Sequence, residues 1–255
     1  MGILDKFILS NKVAVVTGGN RGLGKAMARA LGEAGAHVVI AGRSRNSLEE
    51  TAEELRQHRI EVLALQVDVG KEEDLDRLVN RTLETFKRID ILVNNAGISY
   101  RQPAEKISLE NWDHVYKINL RSVFLLSQKV GKFMIKQRSG KIVNVGSLLS
   151  EQAVPEAIAD STTKAGIKML TQSLALEWAQ YNIQVNAIGP GYFRTDMMEP
   201  LYQNPAQHSM VINRLSIKRW GKPEDLQGAI IFLASAASDY MTGQVLYIDG
   251  GWLAG

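Results

Sequence analysis

The sequence predicts an α/β fold in which one doubly wound parallel sheet of about seven strands carries helices on both faces. Short apolar, β-branched runs recur along the chain, and longer stretches of helical periodicity separate them. A strand followed by a helix and another strand implies parallel pairing, because the helix is the crossover that parallel strands need. The 255 residues, 45% hydrophobic and 22% charged, fit a single domain over 1–255.

The runs and periodic stretches define the expected elements in order. Strands are expected at 13–16, 38–41, 62–67, 89–93, 142–145, 183–188 and 245–248. Helices are expected at 23–34, 48–57, 73–86, 109–135, 165–178 and 223–236. Because both faces of a parallel sheet are covered, we expect each strand to be fully buried. Ligands are then expected at the carboxyl ends of the strands.

The segment 199–222 breaks this rhythm. It holds two of the six prolines and several polar residues. We interpret it as a mobile cover over the substrate site.

Composition and charge exclude several classes of protein. With no cysteine, the chain has no disulfide, no catalytic thiol and no thiolate metal site. Its four histidines lack metal-ligand spacing, so we expect no metal. The net charge of +3 comes from interleaved basic and acidic residues, which predicts no nucleic-acid partner. No signal peptide and no apolar run of about 18 residues is visible, so we expect no membrane association and a cytoplasmic location.

A glycine-rich turn follows the first strand directly and opens the first helix. Gly18, Gly22 and Gly24 follow a G-x-x-x-G-x-G spacing, and Asn20, Arg21 and Leu23 lie between them. Glycines let the backbone approach a pyrophosphate, and the helix N-terminus supplies free N–H donors and a favourable dipole. The turn therefore predicts a Rossmann-type dinucleotide site, with an ordinary tight turn as the alternative.

The end of the second strand indicates which dinucleotide binds. An NAD site usually carries an acid there for the ribose 2′-hydroxyl, but this chain has Gly42, followed by Arg43 and Ser44. Arg43 and Arg21 can offer guanidinium groups to a 2′-phosphate. We therefore expect NADP(H), although each arginine alone could be a solvated surface charge.

Further motifs occur in a fixed order after the glycine turn. They are Asp68-Val69, Asn94-Asn95-Ala96-Gly97, Asn119, Ser147, Lys164, Pro190-Gly191 with Thr195, and Asp249-Gly250-Gly251. Through them nearly the whole chain resembles the short-chain dehydrogenase/reductase family. Within it, Lys168-Met169-Leu170-Thr171, Pro190-Gly191-Tyr192-Phe193 and Arg219-Trp220-Gly221 are most similar to gluconate 5-dehydrogenases and related sugar-acid reductases.

The resemblance implies roles for particular residues. Those implied for the cofactor are Asp68 and Val69 at the adenine, Asn94, Ala96 and Gly97 as support, Pro190, Gly191, Phe193 and Thr195 toward the nicotinamide, and Lys164 at the ribose. Asn119, Ser147, a tyrosine and Lys164 would form the catalytic set. Arg101, Ser147 and Tyr192 would face a small carbonyl or polyol substrate. The C-terminal region implies a homotetramer.

The sequence departs from the family at one catalytic position. The tyrosine belongs four residues before Lys164, where this chain has Asp160. We expect the lysine to lower the pKa of Asp160, leaving an ionised carboxylate that has no proton to donate. Asp160 could instead cap a helix that begins at Ser161, or pair with Lys164. Losing a general acid typically costs about 10² to 10⁴ in rate.

Several functional interpretations remain open. The leading one is an NADP-dependent ketone and alcohol oxidoreductase acting on a sugar acid and impaired by Asp160. A protein that binds NADPH or a sugar acid without turnover is an alternative. A 3-oxoacyl-carrier-protein reductase, with basic surface near Arg214, Lys218 and Arg219, is another. Asp160 would be either a damaging or engineered substitution or the natural residue of a binding protein. Tyr192, Tyr202, Tyr100 and Tyr116 are weak candidates to replace the phenol.

Overall fold

A computed structural model describes residues 2–255 and contains one seven-stranded sheet. Every neighbouring pair of strands is parallel, and the strand order is β3-β2-β1-β4-β5-β6-β7. The strands are β1 (Val13–Thr17), β2 (His37–Gly42), β3 (Val62–Gln66), β4 (Ile91–Asn94), β5 (Gly140–Val145), β6 (Ile183–Pro190) and β7 (Val245–Ile248). This confirms the predicted α/β class and places the switch in strand order between β1 and β4.

Nine α-helices connect and flank these strands in the described chain, residues 2–255. They are α1 (Gly22–Glu33), α2 (Arg45–Gln57), α3 (Glu72–Phe86), α4 (Leu109–Tyr116), α5 (Ser122–Gln137), α6 (Ile158–Trp178), α7 (Glu199–Gln203), α8 (Pro205–Arg214) and α9 (Gln227–Ala234). Helices α1, α2 and α9 pack on one face of the sheet, and α3, α5 and α6 pack on the other.

Alternating strand residues divide the apolar core between these two layers. In β1, Ala14 and Val16 join the core under α1, whereas Val13 and Val15 join the core under α3. Successive side chains of a strand point to opposite faces, so a continuous apolar run is what a sheet covered on both sides requires. The central strands are accordingly buried along their whole length.

The structure corrects three details of the expected elements. Strands β3 and β7 are not fully buried, because they lie at the two edges of the sheet. The helix expected at 109–135 is divided into α4 and α5 by a π-helical turn at Lys117–Arg121. Helix α6 begins at Ile158 rather than near 165, so position 160 lies inside its first turn.

The segment 199–222 contains α7 and α8, which pack beside an aromatic cluster. Tyr192, Trp220 and Trp252 form the buried part of this cluster, and Tyr202 packs against it. No helix within residues 2–255 has both the length and the apolar character needed to cross a membrane.

Candidate active site

A cavity of about 970 Å³ opens along the carboxyl ends of the strands. Loops that follow β1, β2, β3, β4, β5 and β6 all contribute to its wall. Its size is that of a pocket for a cofactor together with a small ligand. Most of the residues expected at the site line it, namely Gly18, Asn20, Arg21, Gly22, Leu23, Gly24, Arg43, Ser44, Asp68, Val69, Ala96, Gly97, Arg101, Ser147, Asp160, Lys164, Pro190, Gly191, Tyr192, Phe193 and Thr195.

The glycine turn is shaped by close backbone contacts. Gly18 has a φ of +63°, in the left-handed region that favours glycine. A Cβ atom on Gly24 would lie 2.1 Å from the main-chain oxygen of Gly18, so only glycine fits where α1 meets the turn. The first residues of α1, Gly22, Leu23 and Gly24, line the cavity, so the N-terminus of α1 lies where an anion site at a helix end requires it.

The end of β2 has no room for an acidic side chain. A Cβ atom on Gly42 would lie 2.4 Å from Oδ1 of Asn20. Asn20 is itself held in place, because its amide donates to the Ser47 hydroxyl at 2.5 Å and its main-chain oxygen accepts from Thr51. The sequence therefore lacks the acidic residue that binds the ribose 2′-hydroxyl in an NAD site, and the packing of Asn20 leaves no space for one at position 42.

Two exposed arginines stand beside this glycine. Arg21 and Arg43 both line the cavity, and neither is paired with a carboxylate anywhere in residues 2–255. By contrast, the neighbouring Arg45 is bonded to Glu49 at 2.7 Å and lies outside the cavity. The residues present thus fit a dinucleotide that carries a 2′-phosphate.

Two residues expected at the site lie behind its wall. Asn94 is buried and donates to the Ser127 hydroxyl and to Oδ1 of Asn144. Asn119, in the π-helical turn, accepts from the main-chain N–H of Ile98 at 2.9 Å and donates to its oxygen at 2.8 Å. Neither lines the cavity. Asn119 thereby holds the loop after β4 in position, and Asn94 connects β4 to α5 and β5.

Ser147 and Lys164 are fixed relative to each other through Ser150. The Ser150 hydroxyl accepts from the Ser147 main-chain N–H and donates to the main-chain oxygen of Lys164. The Ser147 Oγ accepts from Leu149 at 3.1 Å, which leaves its own proton free to be donated into the cavity. Lys164 Nζ donates to the main-chain oxygen of Val145 at 2.7 Å, and burial lowers the pKa of Lys164 to about 8.

Asp160 is buried in the wall of the same cavity, with 5% of its surface exposed. Its Oδ2 accepts from the Ser99 hydroxyl at 2.5 Å, and its Oδ1 has no partner within residues 2–255. Burial raises the pKa of Asp160, while the Ser99 hydrogen bond and the charges of Lys164 and Arg101 act in the opposite direction.

Three expectations for Asp160 were wrong. Its pKa is raised, not lowered, because desolvation outweighs the lysine charge. It does not cap a helix at Ser161, since α6 begins at Ile158 and the carboxylate faces Ser99 instead. It forms no direct ion pair with Lys164, whose ammonium group is directed at Val145.

Arg101 and Tyr192 complete this end of the cavity. Burial raises the pKa of Tyr192, and the Arg101 charge partly offsets that effect. Arg101 also lowers the pKa of Asp160, so the guanidinium lies near both groups. Sequence reasoning missed Ser99, the hydrogen-bond partner of Asp160, which lies two residues after the Asn-Asn-Ala-Gly motif. That proximity was the signal that could have identified it.

Comparison with known proteins agrees with the fold. A profile described as enoyl-(acyl carrier protein) reductase matches residues 18–253. The chain is 41% identical to a 2-dehydro-3-deoxy-D-gluconate 5-dehydrogenase of Formosa agariphila over 98% of this chain and 96% of that one. The enzyme of the same name from Escherichia coli is 42% identical over 99% of both chains. A gluconate 5-dehydrogenase from Burkholderia cenocepacia, solved with NADP and tartrate, is 37% identical with a TM-score of 0.96 over 100% of both chains.

The fold and site define a nicotinamide-dinucleotide-dependent oxidoreductase class. The chain belongs to the short-chain dehydrogenase/reductase family, and its relatives include sugar-acid dehydrogenases. The predicted family resemblance is thereby confirmed.

Proposed function

We propose that this chain is an NADP(H)-dependent oxidoreductase for the interconversion of a ketone and a secondary alcohol on a sugar acid, and that Asp160 reduces its turnover. The main support for the proposal is that one cavity contains both a set of side chains suited to the cofactor and a set suited to the substrate. Unpaired Arg21 and Arg43 flank the glycine turn at one end, and Ser147, Lys164 and Arg101 lie at the other. The NADP-bound relative supports the same cofactor choice.

The side chains suggest a division of roles. When bound, the dinucleotide supplies or accepts the hydride. Ser147 donates a hydrogen bond to the substrate oxygen, and Lys164 stabilises negative charge through its buried ammonium group. Arg101 binds the carboxylate of the sugar acid, since a guanidinium matches a carboxylate in a two-point contact. Asn119 acts by positioning the loop after β4, and Asn94 acts by connecting β4 to α5 and β5.

Asp160 limits the proton transfer in this scheme. An ionised carboxylate only accepts hydrogen bonds, so it cannot protonate a ketone oxygen. It also stands where negative charge develops on that oxygen, and it is shorter than a tyrosine by an aromatic ring. We expect the chain to bind the cofactor but to reduce ketones inefficiently. A protein that binds NADPH without turnover would behave in the same way.

The proposal also includes the surroundings of the site. Helices α7 and α8, in the segment 199–222, would cover the substrate from beside the aromatic cluster. Cavity-lining residues at Thr195–Met198 connect this segment to the site. Exposed apolar side chains on α5 and α6, namely Phe124, Met169 and Leu176, support association into a homotetramer. Light scattering on the purified chain tests the assembly.

Two measurements test the proposed function. The unmodified chain should bind NADPH more tightly than NADH, measured by quenching of protein fluorescence. The Asp160→Tyr variant should then reduce 5-keto-D-gluconate with NADPH. Equal affinities for the two cofactors would overturn the cofactor choice. Reduction of neutral ketones but of no sugar acid by that variant would overturn the substrate class.

A further inference from the structure

The loop between β5 and α6, residues 146–157, carries Ser147 and also a glutamine that contacts two distant parts of the chain. The side-chain oxygen of Gln152 accepts a hydrogen bond from the indole N–H of Trp252 at 3.1 Å. The same oxygen accepts a second one from Nη2 of Arg214 at 2.9 Å. One atom of this loop, which we call the serine loop, therefore binds both the C-terminal turn and α8.

The contact with Arg214 fixes the direction of α8. Arg214 is the last residue of this helix, and its bond to Gln152 is the one side-chain hydrogen bond from α8 to any described residue, 2–255, outside the segment 199–222. Val211 of α8 is buried in the aromatic cluster, but apolar packing has no preferred direction. A hydrogen bond does depend on direction. The Gln152 contact thus determines how α8 lies against the serine loop.

Trp252 keeps the Gln152 oxygen in place. Only 2% of the Trp252 surface is exposed, so its indole N–H would be a buried donor without a partner if Gln152 turned away. Arg214 is exposed, and its guanidinium lies 4.3 Å from the centre of the Trp252 ring. The ring and the glutamine oxygen therefore hold the arginine together, through a cation–π contact and a hydrogen bond.

Both sides of this contact extend to the cavity wall. Leu148 of the serine loop lines the cavity, and so does Met198, which directly precedes α7. Leu148, Val211 and Trp252 belong to one buried cluster, and Met198 packs against it. Because closely packed side chains transmit displacements to their neighbours, a shift of α8 away from the serine loop would alter this part of the wall.

The hydroxyl group of Ser147 does not depend on the same contact. Its position is set by Ser150 and by the main-chain N–H of Leu149. Gln152 contributes a main-chain N–H that donates to the oxygen of Leu148, and this bond persists when the side chain is replaced. Loss of the Gln152 side chain should therefore loosen α8 while Ser147 stays in place.

We propose that Gln152 is a positioning residue, which holds the segment 199–222 against the substrate end of the cavity through Arg214. The proposal rests on the proposed sugar-acid function and identifies a contact that shapes its substrate pocket. A wall held in this way acts on bound substrate and on the transition state alike. Such uniform binding lowers the KM and leaves kcat unchanged.

Initial-rate kinetics in the Asp160→Tyr background test this role. Gln152→Leu should raise the KM for 5-keto-D-gluconate about three- to tenfold, the effect of losing one ordinary hydrogen bond. The kcat and the dissociation constant of NADPH should stay within about twofold. Gln152→Glu keeps an acceptor oxygen and should restore the low KM. Gln180→Leu is the matched control, because Gln180 is exposed, lies outside the cavity and bonds only within its own turn.

A second variant removes the same contact from the other side. Arg214→Met leaves Trp252 with its acceptor, so it tests the proposal even where Gln152→Leu does not fold. It should raise the KM by a similar factor, and the double variant should exceed Gln152→Leu by less than about twofold, because both changes break one contact. Arg81→Met removes an exposed charge from α3, outside the cavity, and should leave the KM unchanged.

Hydrogen–deuterium exchange provides a readout that needs no activity. In an otherwise unmodified chain, Gln152→Leu and Arg214→Met should both accelerate amide exchange in α8, while exchange in β1 stays as it was. Unchanged exchange in α8, an unchanged KM, or a fall in kcat at constant KM would each overturn the proposal. If Asp160→Tyr reduces no sugar acid, the proposed function fails, and exchange in α8 alone decides whether Gln152 holds the segment.

Discussion

The two ends of the cavity differ in how their polar groups are satisfied. At the glycine-turn end, Asn20 is held by Ser47 and Thr51, while Arg21 and Arg43 line the cavity and have no carboxylate partner among residues 2–255. At the other end, Asp160 is buried with one oxygen bonded to Ser99 and the other unpaired. The first end is suited to binding an anion, whereas the second contains a buried carboxylate where the family has a proton donor. Binding of the cofactor and turnover should therefore respond to different substitutions.

The largest expected effect is on turnover, at the end of the cavity that contains Asp160. Asp160→Tyr should increase ketone reduction with NADPH by at least about 10²-fold, because it restores a positioned proton donor. Asp160→Phe supplies the same ring without the hydroxyl and should not restore activity. Steady-state rates with 5-keto-D-gluconate compare the two variants. Equal gains from both would show that ring packing, rather than proton transfer, was missing.

The second-largest effect is expected on cofactor affinity, at the glycine-turn end of the cavity. Arg43→Ala should narrow the difference in affinity between NADPH and NADH by about 1.5–3 kcal/mol, which is roughly 10- to 150-fold, because a hydrogen bond to a charged phosphate is lost. Arg45→Ala is the matched control, since Arg45 is exposed and paired with Glu49 outside the cavity. Fluorescence titration measures both cofactors. A similar narrowing of the affinity difference in Arg45→Ala would show that Arg43 has no specific role in cofactor selection.

A third substitution tests the role of Arg101 at the Asp160 end of the cavity. In the Asp160→Tyr background, Arg101→Ala should raise the KM for a sugar acid by roughly tenfold or more, through loss of a charge-assisted contact. The KM for a neutral ketone should change little. Initial-rate kinetics with both substrates separate these effects. An equal increase for both would mean that Arg101 shapes the cavity without binding a carboxylate.

The smallest effect concerns the residual activity of the unmodified chain. Burial raises the pKa of Asp160, and only the protonated carboxyl can donate to a ketone. Ketone reduction should therefore rise as the pH falls through that pKa, starting at a higher pH than an ordinary aspartate with a pKa of about 3.9 would allow. The pH profile of Asp160→Asn should lack this rise. An identical profile in the two proteins would exclude Asp160 as the donor.

The sequence was most informative where function depends on local backbone. The glycine turn and Gly42 are contiguous with their strands, so spacing alone indicated the cofactor end. Apolar runs predicted all seven strands, but the lower burial of β3 and β7 depends on strand order, which no single run contains.

The catalytic end depended on contacts between distant residues. Ser99 and Asp160 are 61 positions apart, and their hydrogen bond joins the loop after β4 to α6. The direction of the Asp160 pKa shift follows from the burial of the carboxylate, which the residues next to it in the sequence did not indicate. Asn94 and Asn119 were expected among the site residues, yet their side chains are used by neighbours behind the cavity wall.

The most direct test of this separation measures cofactor binding and turnover on the same preparations of the unmodified chain and of Asp160→Tyr. The account predicts dissociation constants for NADPH that agree within about twofold, since the glycine turn and Arg43 do not contact position 160. It predicts single-turnover ketone reduction at least about 10²-fold slower in the unmodified chain. Equal turnover by the two proteins across neutral pH would contradict it, because another residue would then be the proton donor.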